Sequence, residues 1–417
     1  GLNTEAVLAT LIEDFVYPHD LGDLVGSFAL RGSLEDLEVR QLVLTNMGSD
    51  RLTLGIEGGI GDLDELEADL SFQARVPDTE LLKALTGLQL AAADAAGTLQ
   101  THGNKVRLKG DMKFGKTRLT TDTAFSTGDG KLQSLDTEIR SPHLYLADLG
   151  LQASTDGEQR YRPAEQIEGA AESGVERILR RAPRFPSRIH LSVDELTGEN
   201  TAIDSLQLEL TGRDGAYTVR QLDASYATGL AEFRGIVDLN QDPVAISLAG
   251  QGISIPLNRL SADIGMETDV AGIISFRGGI TGRGTQRSEL LQSLDGSLAF
   301  ALQDAVIEGA AYDVLATGLL EWMYSGAALE TSTRLDCTMA RFDFNRGKAR
   351  TDNIYIETRK MIATGEAKLD LVKNEIDLSL TPRSKSRQIQ IPSTVRVRGP
   401  IDNPRTIVSP VSAAADA

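Results

Sequence analysis

The sequence predicts a mainly β protein in which antiparallel strands follow one another in a long meander. The first observation is alternation, because apolar residues recur at every second position with polar residues between them. The stretch MIATGEAKLDLVKNEIDLSL, residues 361–380, shows this pattern over two successive strands. The second observation is the short gaps between such runs, with turn pairs such as Asp214-Gly215 and Arg346-Gly347. Short connections join antiparallel neighbours, whereas parallel strands need long crossovers.

The alternating runs recur along the chain, and each presents one apolar face. The N-terminal runs place on this face Leu52, Leu54, Ile56, Leu70, Phe72, Val106, Leu108 and Phe114. The middle runs add Leu206, Leu208, Val244, Ile246 and Leu248. The C-terminal runs add Phe342, Phe344, Ile354, Ile356, Leu369, Leu371, Ile376, Leu378 and Leu380. In residues 361–380 the opposite, water-facing side is predicted to carry Lys368, Asp370, Asp377 and Ser379.

Helical spacing of apolar residues interrupts the alternation at a few places. Amphipathic helices are predicted at residues 4–15, 78–88, 163–183, 255–265, 288–294 and 310–326. The longest of them begins after Pro163, ends before Pro183 and replaces alternation with charge. We therefore divide the chain into a first β segment with an N-terminal helix (1–155), a helical connector (156–187) and a second β segment (188–417).

The composition argues against several classes of function. The chain carries 60 acidic against 42 basic side chains, a net charge of −18, and nucleic-acid binding requires the opposite balance. Cys337 is the only cysteine, and the acidic stretch at 61–70 lacks the spacing of a calcium loop, so we expect no metal site. No nucleophile, phosphate-loop or cofactor motif occurs, so we expect neither an enzyme nor a cofactor. No stretch reaches the roughly 18 apolar residues of a membrane span.

Several motifs in the C-terminal third occur in an order that resembles the C-terminal region of AsmA-family proteins. They are the leader with Leu294 and Gly296, the strand from Gly365 to Leu371, the stretch LSLTPRSK and the closing pattern with Val397, Gly399 and Pro404. In the first half, the stretch SPHLYLADLG is similar to the middle region of the same family.

The resemblance implies that the sheet curls into an elongated hydrophobic groove, and that the protein passively conducts phospholipid acyl chains between the inner and outer membranes. The apolar positions above would then line the groove. It also implies a periplasmic protein, anchored in the inner membrane by an N-terminal helix absent from this chain, with phospholipid, the two membranes and envelope proteins as partners. The alternative is a structural or assembly protein that docks outer-membrane partners through exposed strand edges.

Overall fold

The computed structural model describes most of the strand-forming sequence. The described residues are 2–4, 17, 19–33, 36–62, 67–86, 88–128, 131–150, 184–198, 202–263, 270–308, 332–359, 361–385, 394–401 and 405–409. The helices predicted at 163–183 and 310–326 lie outside the described residues, as does the predicted N-terminal helix beyond Thr4.

The described residues fall into two compact units. The first comprises residues up to Thr155 together with Pro183–Gly215, and the second comprises Ala216–Ala417. This division differs from the one expected from the sequence, which assigned residues 188–215 to the second β segment. The reason is strand pairing, because the strand that begins at Ser187 joins the sheet of the first unit.

The first unit is a sheet that is antiparallel over most of its width. Its described strands are β1 (Leu2–Asn3), β2 (Asp23–Ser33), β3 (Asp36–Met47), β4 (Thr53–Asp62), β5 (Glu67–Val76), β6 (Ala93–His102), β7 (Lys105–Phe114), β8 (Thr117–Gly128), β9 (Lys131–Tyr145), β10 (Ser187–Val193), β11 (Leu196–Thr197), β12 (Ala202–Ile203) and β13 (Ser205–Arg213). Strands β1 to β9 pair with their sequence neighbours. The antiparallel meander ends at β9, because β10 and β11 both pair with β9 in parallel. On its other edge, β10 pairs with β13 in antiparallel orientation.

The second unit is an antiparallel meander throughout its described part. Its strands are β14 (Ala216–Tyr226), β15 (Gly229–Asp238), β16 (Ala245–Pro256), β17 (Val270–Arg283), β18 (Asp295–Glu308), β19 (Ser332–Asn345), β20 (Lys348–Glu357), β21 (Met361–Asp370), β22 (Glu375–Ser384), β23 (Thr394–Pro400) and β24 (Arg405–Ser409). Each pairs with the next. The prediction of a mainly β fold built from a long meander is confirmed.

A few short helices accompany the sheets. They are α1 (Thr79–Thr86), α2 (Leu257–Asp263), α3 (Arg287–Gln292) and a 3₁₀ turn at Leu146–Leu149. Asp78 caps α1, because its Oδ1 accepts hydrogen bonds from the backbone N–H of Glu80 at 2.8 Å and of Leu81 at 3.3 Å. Helix α2 begins later than predicted, since β16 continues through Pro256. Among the described helices, none has both the length and the apolar character needed to cross a membrane.

The best-packed core of the first unit lies where α1 covers the ends of β4 and β5. Leu81 and Leu82 are the buried residues of the helix, and Leu81 is 0% exposed. The cluster that they complete also contains Leu21, Leu52, Val76 and Leu90. This core seals one end of the apolar face and leaves the middle of β5, β6 and β7 outside it.

Candidate functional site

Cross-strand register aligns the apolar positions of the first unit into rows. Leu70 on β5 stands opposite Leu99 on β6, which stands opposite Leu108 on β7. One residue away along each strand, Ser71 stands opposite Thr98 on the other face of the sheet. Successive side chains of a strand point to opposite faces, so the register separates one apolar face from one polar face.

The apolar face of the first unit is only half-buried. Along β6 and β7 every second residue is half-buried and the residues between them are exposed, and neither strand contains a fully buried residue. In a closed sandwich the inward-facing residues of central strands would pack to full burial. The expected lining residues found half-buried on this unit are Leu54, Ile56, Leu70, Phe72, Val106, Leu108, Phe114, Leu206 and Leu208.

The second unit repeats this arrangement over its own meander. Leu248 on β16 stands opposite Ile280 on β17, and Leu369 on β21 stands opposite Ile376 on β22. The expected lining residues found half-buried here are Val244, Ile246, Leu248, Phe342, Phe344, Ile356, Leu369, Ile376 and Leu378. Val244 precedes the first residue of β16, and the others lie within strands.

Four expected lining residues lie elsewhere. Leu52 is 6% exposed and packs beneath α1, while Ile354 at 8% and Leu380 at 1% pack into a buried cluster with Ala340 and Ala367. Leu371 follows the last residue of β21 and lies in a turn. These residues are therefore core or turn positions, and β19 to β22 carry a closed patch on the same face.

Several residues of the apolar faces were not singled out from the sequence. In the first unit they are Leu99, Phe125, Leu135, Ile139, Ile189 and Leu191. In the second unit they are Phe233, Val237, Ile280, Leu298 and Phe300. The alternation around each was a usable signal, as in GTLQTH around Leu99, but the cross-strand register that joins them appears only in the fold.

Glycines on the apolar faces allow aromatic rings to lie over bare backbone. Phe72 stands opposite Gly97, and Phe233 stands opposite Gly250. A Cβ atom at Gly250 would collide with the ring of Phe233, and one at Gly97 would collide with the backbone carbonyl of Lys109. Glycine within a strand permits such close approach and local bending of the sheet.

The opposite face carries cross-strand ion pairs. Arg107 donates to both carboxylate oxygens of Asp122, at 2.9 and 2.7 Å, and these hydrogen bonds lower the pKa of Asp122 to about 2. In the second unit Arg396 donates to both oxygens of Asp377, at 2.8 and 2.7 Å. Hydrogen bonds from Arg396, then from Arg398, hold the pKa of Asp377 well below its usual range. This face is therefore the water-facing one, as expected for Asp377.

Three cavities bounded by described residues lie between rows of the polar face. One of them, about 1050 Å³, is flanked by the side chains of Arg350, Lys368 and Asp377 on one row and of Lys348 and Asp370 on the next. Its lining mixes both charges. Within the described part of the chain, no group of three or more His, Cys, Asp or Glu side chains is arranged to hold a metal ion.

The edge of the first unit is apolar on both faces. Phe28 and Leu30 of β2 are 61% and 56% exposed, and Val25, Val43 and Met47 are also exposed. Val25 and Val43 project from the face opposite to that of Leu30, as their cross-strand partners show. Among the described residues, β2 from Val25 onward pairs with β3 alone, and no described strand pairs with its other edge.

The comparison with protein families agrees with the resemblance noted in the sequence. The model of the AsmA family matches residues 30–354, which is more than half of the chain, whereas the motifs from Gly365 to Pro404 lie beyond the matched range. No curated protein and no solved structure is detectably similar to the chain. The extent of the family match, together with the mainly β fold, shows that the chain belongs to the AsmA family.

Proposed function

We propose that the apolar faces of the two units bind the acyl chains of phospholipids, and that the protein passively conducts lipid between the inner and outer membranes from the periplasm. The observation that carries the proposal is the half-burial of the apolar rows on β5, β6 and β7. Large apolar surfaces without a cover are rare on soluble proteins and mark sites for apolar ligands. Membership of the AsmA family supports a role in the cell envelope.

The chemistry of the rows suits a mobile acyl chain. Each methylene group moved from water to such a surface contributes about 0.8 kcal/mol, so a chain of many methylenes is held firmly as a whole. Neighbouring positions offer similar Leu, Ile, Val and Phe contacts, so a shift by one step exchanges one contact for a similar one. The polar head group stays in water, and the ion-paired opposite face remains solvated. No cofactor or energy source enters this scheme.

The adjacent residues Leu99 and Thr98 provide a matched test. Leu99 lies half-buried in the apolar row and Thr98 lies exposed on the polar face of the same strand. We expect Leu99→Asp to lower the phospholipid that copurifies with the chain several-fold, because a carboxylate in the row must be desolvated when an acyl chain lies over it. Thr98→Asp should leave bound phospholipid unchanged. Lipid mass spectrometry measures the ratio, and circular dichroism checks that both variants fold.

Equal lipid content in folded Leu99→Asp and wild-type protein would show that this row is not the acyl-chain site. The absence of phospholipid from the wild-type chain, even after incubation with phospholipid vesicles, would refute the proposal as a whole.

A second candidate function is the docking of an envelope protein by strand addition at β2. It is favoured by the edge of β2 that no described strand covers, and by the exposure of Phe28 and Leu30. A photoreactive amino acid in place of Phe28 distinguishes the two functions in cells. A defined protein adduct, lost when proline replaces Ala29 and prevents strand addition, supports docking. Lipid adducts without a protein adduct support lipid transfer alone.

A further inference from the structure

Four hydroxyl-bearing residues interrupt the apolar face of the first unit. Thr121 and Thr123 lie on β8, Thr137 on β9 and Ser187 on β10, and we call them the hydroxyl patch. The register places the patch within the apolar rows. Leu108 stands opposite Thr123, Thr123 opposite Thr137, and Thr137 opposite Ile189. A ligand that follows the row of Leu70, Leu99 and Leu108 therefore meets hydroxyl groups before it reaches the next apolar position.

The three threonines hydrogen-bond one another but retain capacity for a ligand. Their Oγ1 atoms are 2.6 Å apart for Thr123 and Thr137, 2.9 Å for Thr121 and Thr123, and 3.5 Å for Thr121 and Thr137. Each hydroxyl has one hydrogen to donate. The two short contacts use two of the three hydrogens, so one donor is held only by the longest contact. The patch can therefore donate a hydrogen bond to an acceptor placed over it.

Ser187 adds a second, independent indication of a polar ligand. Ser187 pairs with Leu135 on β9, two residues before Thr137. It therefore lies on the same face as Thr137, in the neighbouring row. The side chain is buried, and its Oγ has no hydrogen-bond partner among the described residues. A buried hydroxyl without a partner costs free energy, and a bound acceptor or donor recovers that cost.

The surface beside Thr121 is bare backbone. Gly110 on β7 stands opposite Thr121, and Gly97 on β6 stands opposite Gly110. Neither contributes a side chain to the face, so a gap in the apolar row borders the hydroxyl patch.

We propose that the hydroxyl patch binds the ester carbonyl groups of a glycerolipid, an inference that rests on the proposed function. An ester carbonyl is a neutral acceptor, which matches the spare donor of the patch. The basic residues nearest the patch on β9 and β10, Arg140 and Arg188, lie on the polar face, so this part of the apolar face offers no partner for a charged phosphate. The patch would set the position at which a diacyl lipid pauses, with its chains along the flanking apolar rows.

Ester-linked and ether-linked phospholipids provide the test, because they share head group and chain length and differ in the carbonyl groups. The wild-type chain is incubated with vesicles of equal parts diacyl ester phosphatidylcholine and its dialkyl ether analogue, and bound lipid is quantified by mass spectrometry. We expect the ester lipid to be enriched about two- to tenfold, the range of one net hydrogen bond. The double variant Thr123→Val and Thr137→Val should bind both lipids equally at unchanged total lipid.

Two further variants keep the test decisive. The double variant Thr123→Ser and Thr137→Ser retains the hydroxyls and should keep the preference for the ester lipid. If the valine variant does not fold, the serine variant still tests the inference. Thr98→Val, on the polar face, should also keep it. Equal binding of both lipids by the wild-type chain, loss of the preference in the serine variant, or an unchanged preference in the folded valine variant overturns the inference. Lipid binding without preference leaves the proposed function standing, whereas no binding of either lipid refutes both.

Discussion

At the residue scale, Asp78 joins three parts of the first unit through one carboxylate. Besides capping α1, it accepts a hydrogen bond of 2.6 Å from the hydroxyl of Tyr17 and pairs with the guanidinium of Arg51. The hydrogen bond from Tyr17, followed by that from Arg51, lowers the pKa of Asp78 from 3.8 to about 2. The Asp78 carboxylate therefore stays charged in the fold. It holds together the start of α1, the segment at Tyr17 and the residues just before β4.

The lowered pKa of Asp78 predicts an acid-dependent loss of stability. As the pH falls, the unfolded chain takes up the proton first, so the stabilising contribution is full above about pH 4 and is lost between about pH 4 and pH 2. We expect Asp78→Ala to lower the free energy of unfolding at pH 7 by about 1–2 kcal/mol, from loss of the cap, and to weaken the pH dependence in that window. Urea unfolding at several pH values measures both effects.

Asp69→Ala provides the control for Asp78→Ala. Asp69 is exposed on the polar face of β5 and caps no helix, so its removal should change stability by less than about 0.5 kcal/mol. The assignment of Asp78 as a structural anchor fails if the two variants unfold at the same urea concentration.

At the element scale, α1 acts as a cover for one end of the apolar face. Leu81 is fully buried against β4 and β5, so Leu81→Ala should lower the free energy of unfolding by about 2–5 kcal/mol through lost contacts and a cavity. Lys83→Ala, on the exposed side of α1, should have little effect. Thermal or denaturant unfolding of the two variants checks the difference. Similar stabilities would mean that the helix does not seal this end.

The elements also show what alternation predicts and what it does not. It predicted the face of Leu369, Ile376 and Asp377, because side-chain direction in a strand depends on sequence position alone. It did not predict that Ala349 and Ile354, five residues apart on β20, share a face, because an irregularity in pairing between Thr351 and Ile354 shifts the register.

The sequence could not predict which apolar residues are fully buried or which distant strands pair. Alternation identifies an apolar face but not what covers it, so Leu52 beneath α1 and Leu380 in the closed patch looked the same as half-buried Leu70. The parallel return of β10 onto β9 depends on contacts between residues distant in sequence. The hydroxyl patch was not predicted because threonine is common in strands. Only the register shows that the threonines of β8 and β9 lie side by side.

At the scale of the whole molecule, both units have the same design: a mainly antiparallel sheet with one apolar and one ion-paired face. The faces are not equally open. In the first unit β6 and β7 lack fully buried residues, whereas in the second unit Ile354, Ala367 and Leu380 form a closed patch. We therefore expect lipid contact to be strongest at β5 to β7 in the first unit and weak at the closed patch in the second.

If acyl chains lie on one face of each sheet, photocrosslinking along single strands should distinguish that face from the other. A photoreactive amino acid is placed in turn at residues 98–101 of β6 and 364–369 of β21, and phospholipid adducts are quantified in cells. Our prediction is a period of two on β6, with adducts at 99 and 101 and few at 98 and 100, and on β21 an adduct at 369 with few at 364, 366 and 368. Equal adducts at adjacent positions of β6, or none on either face, would contradict it.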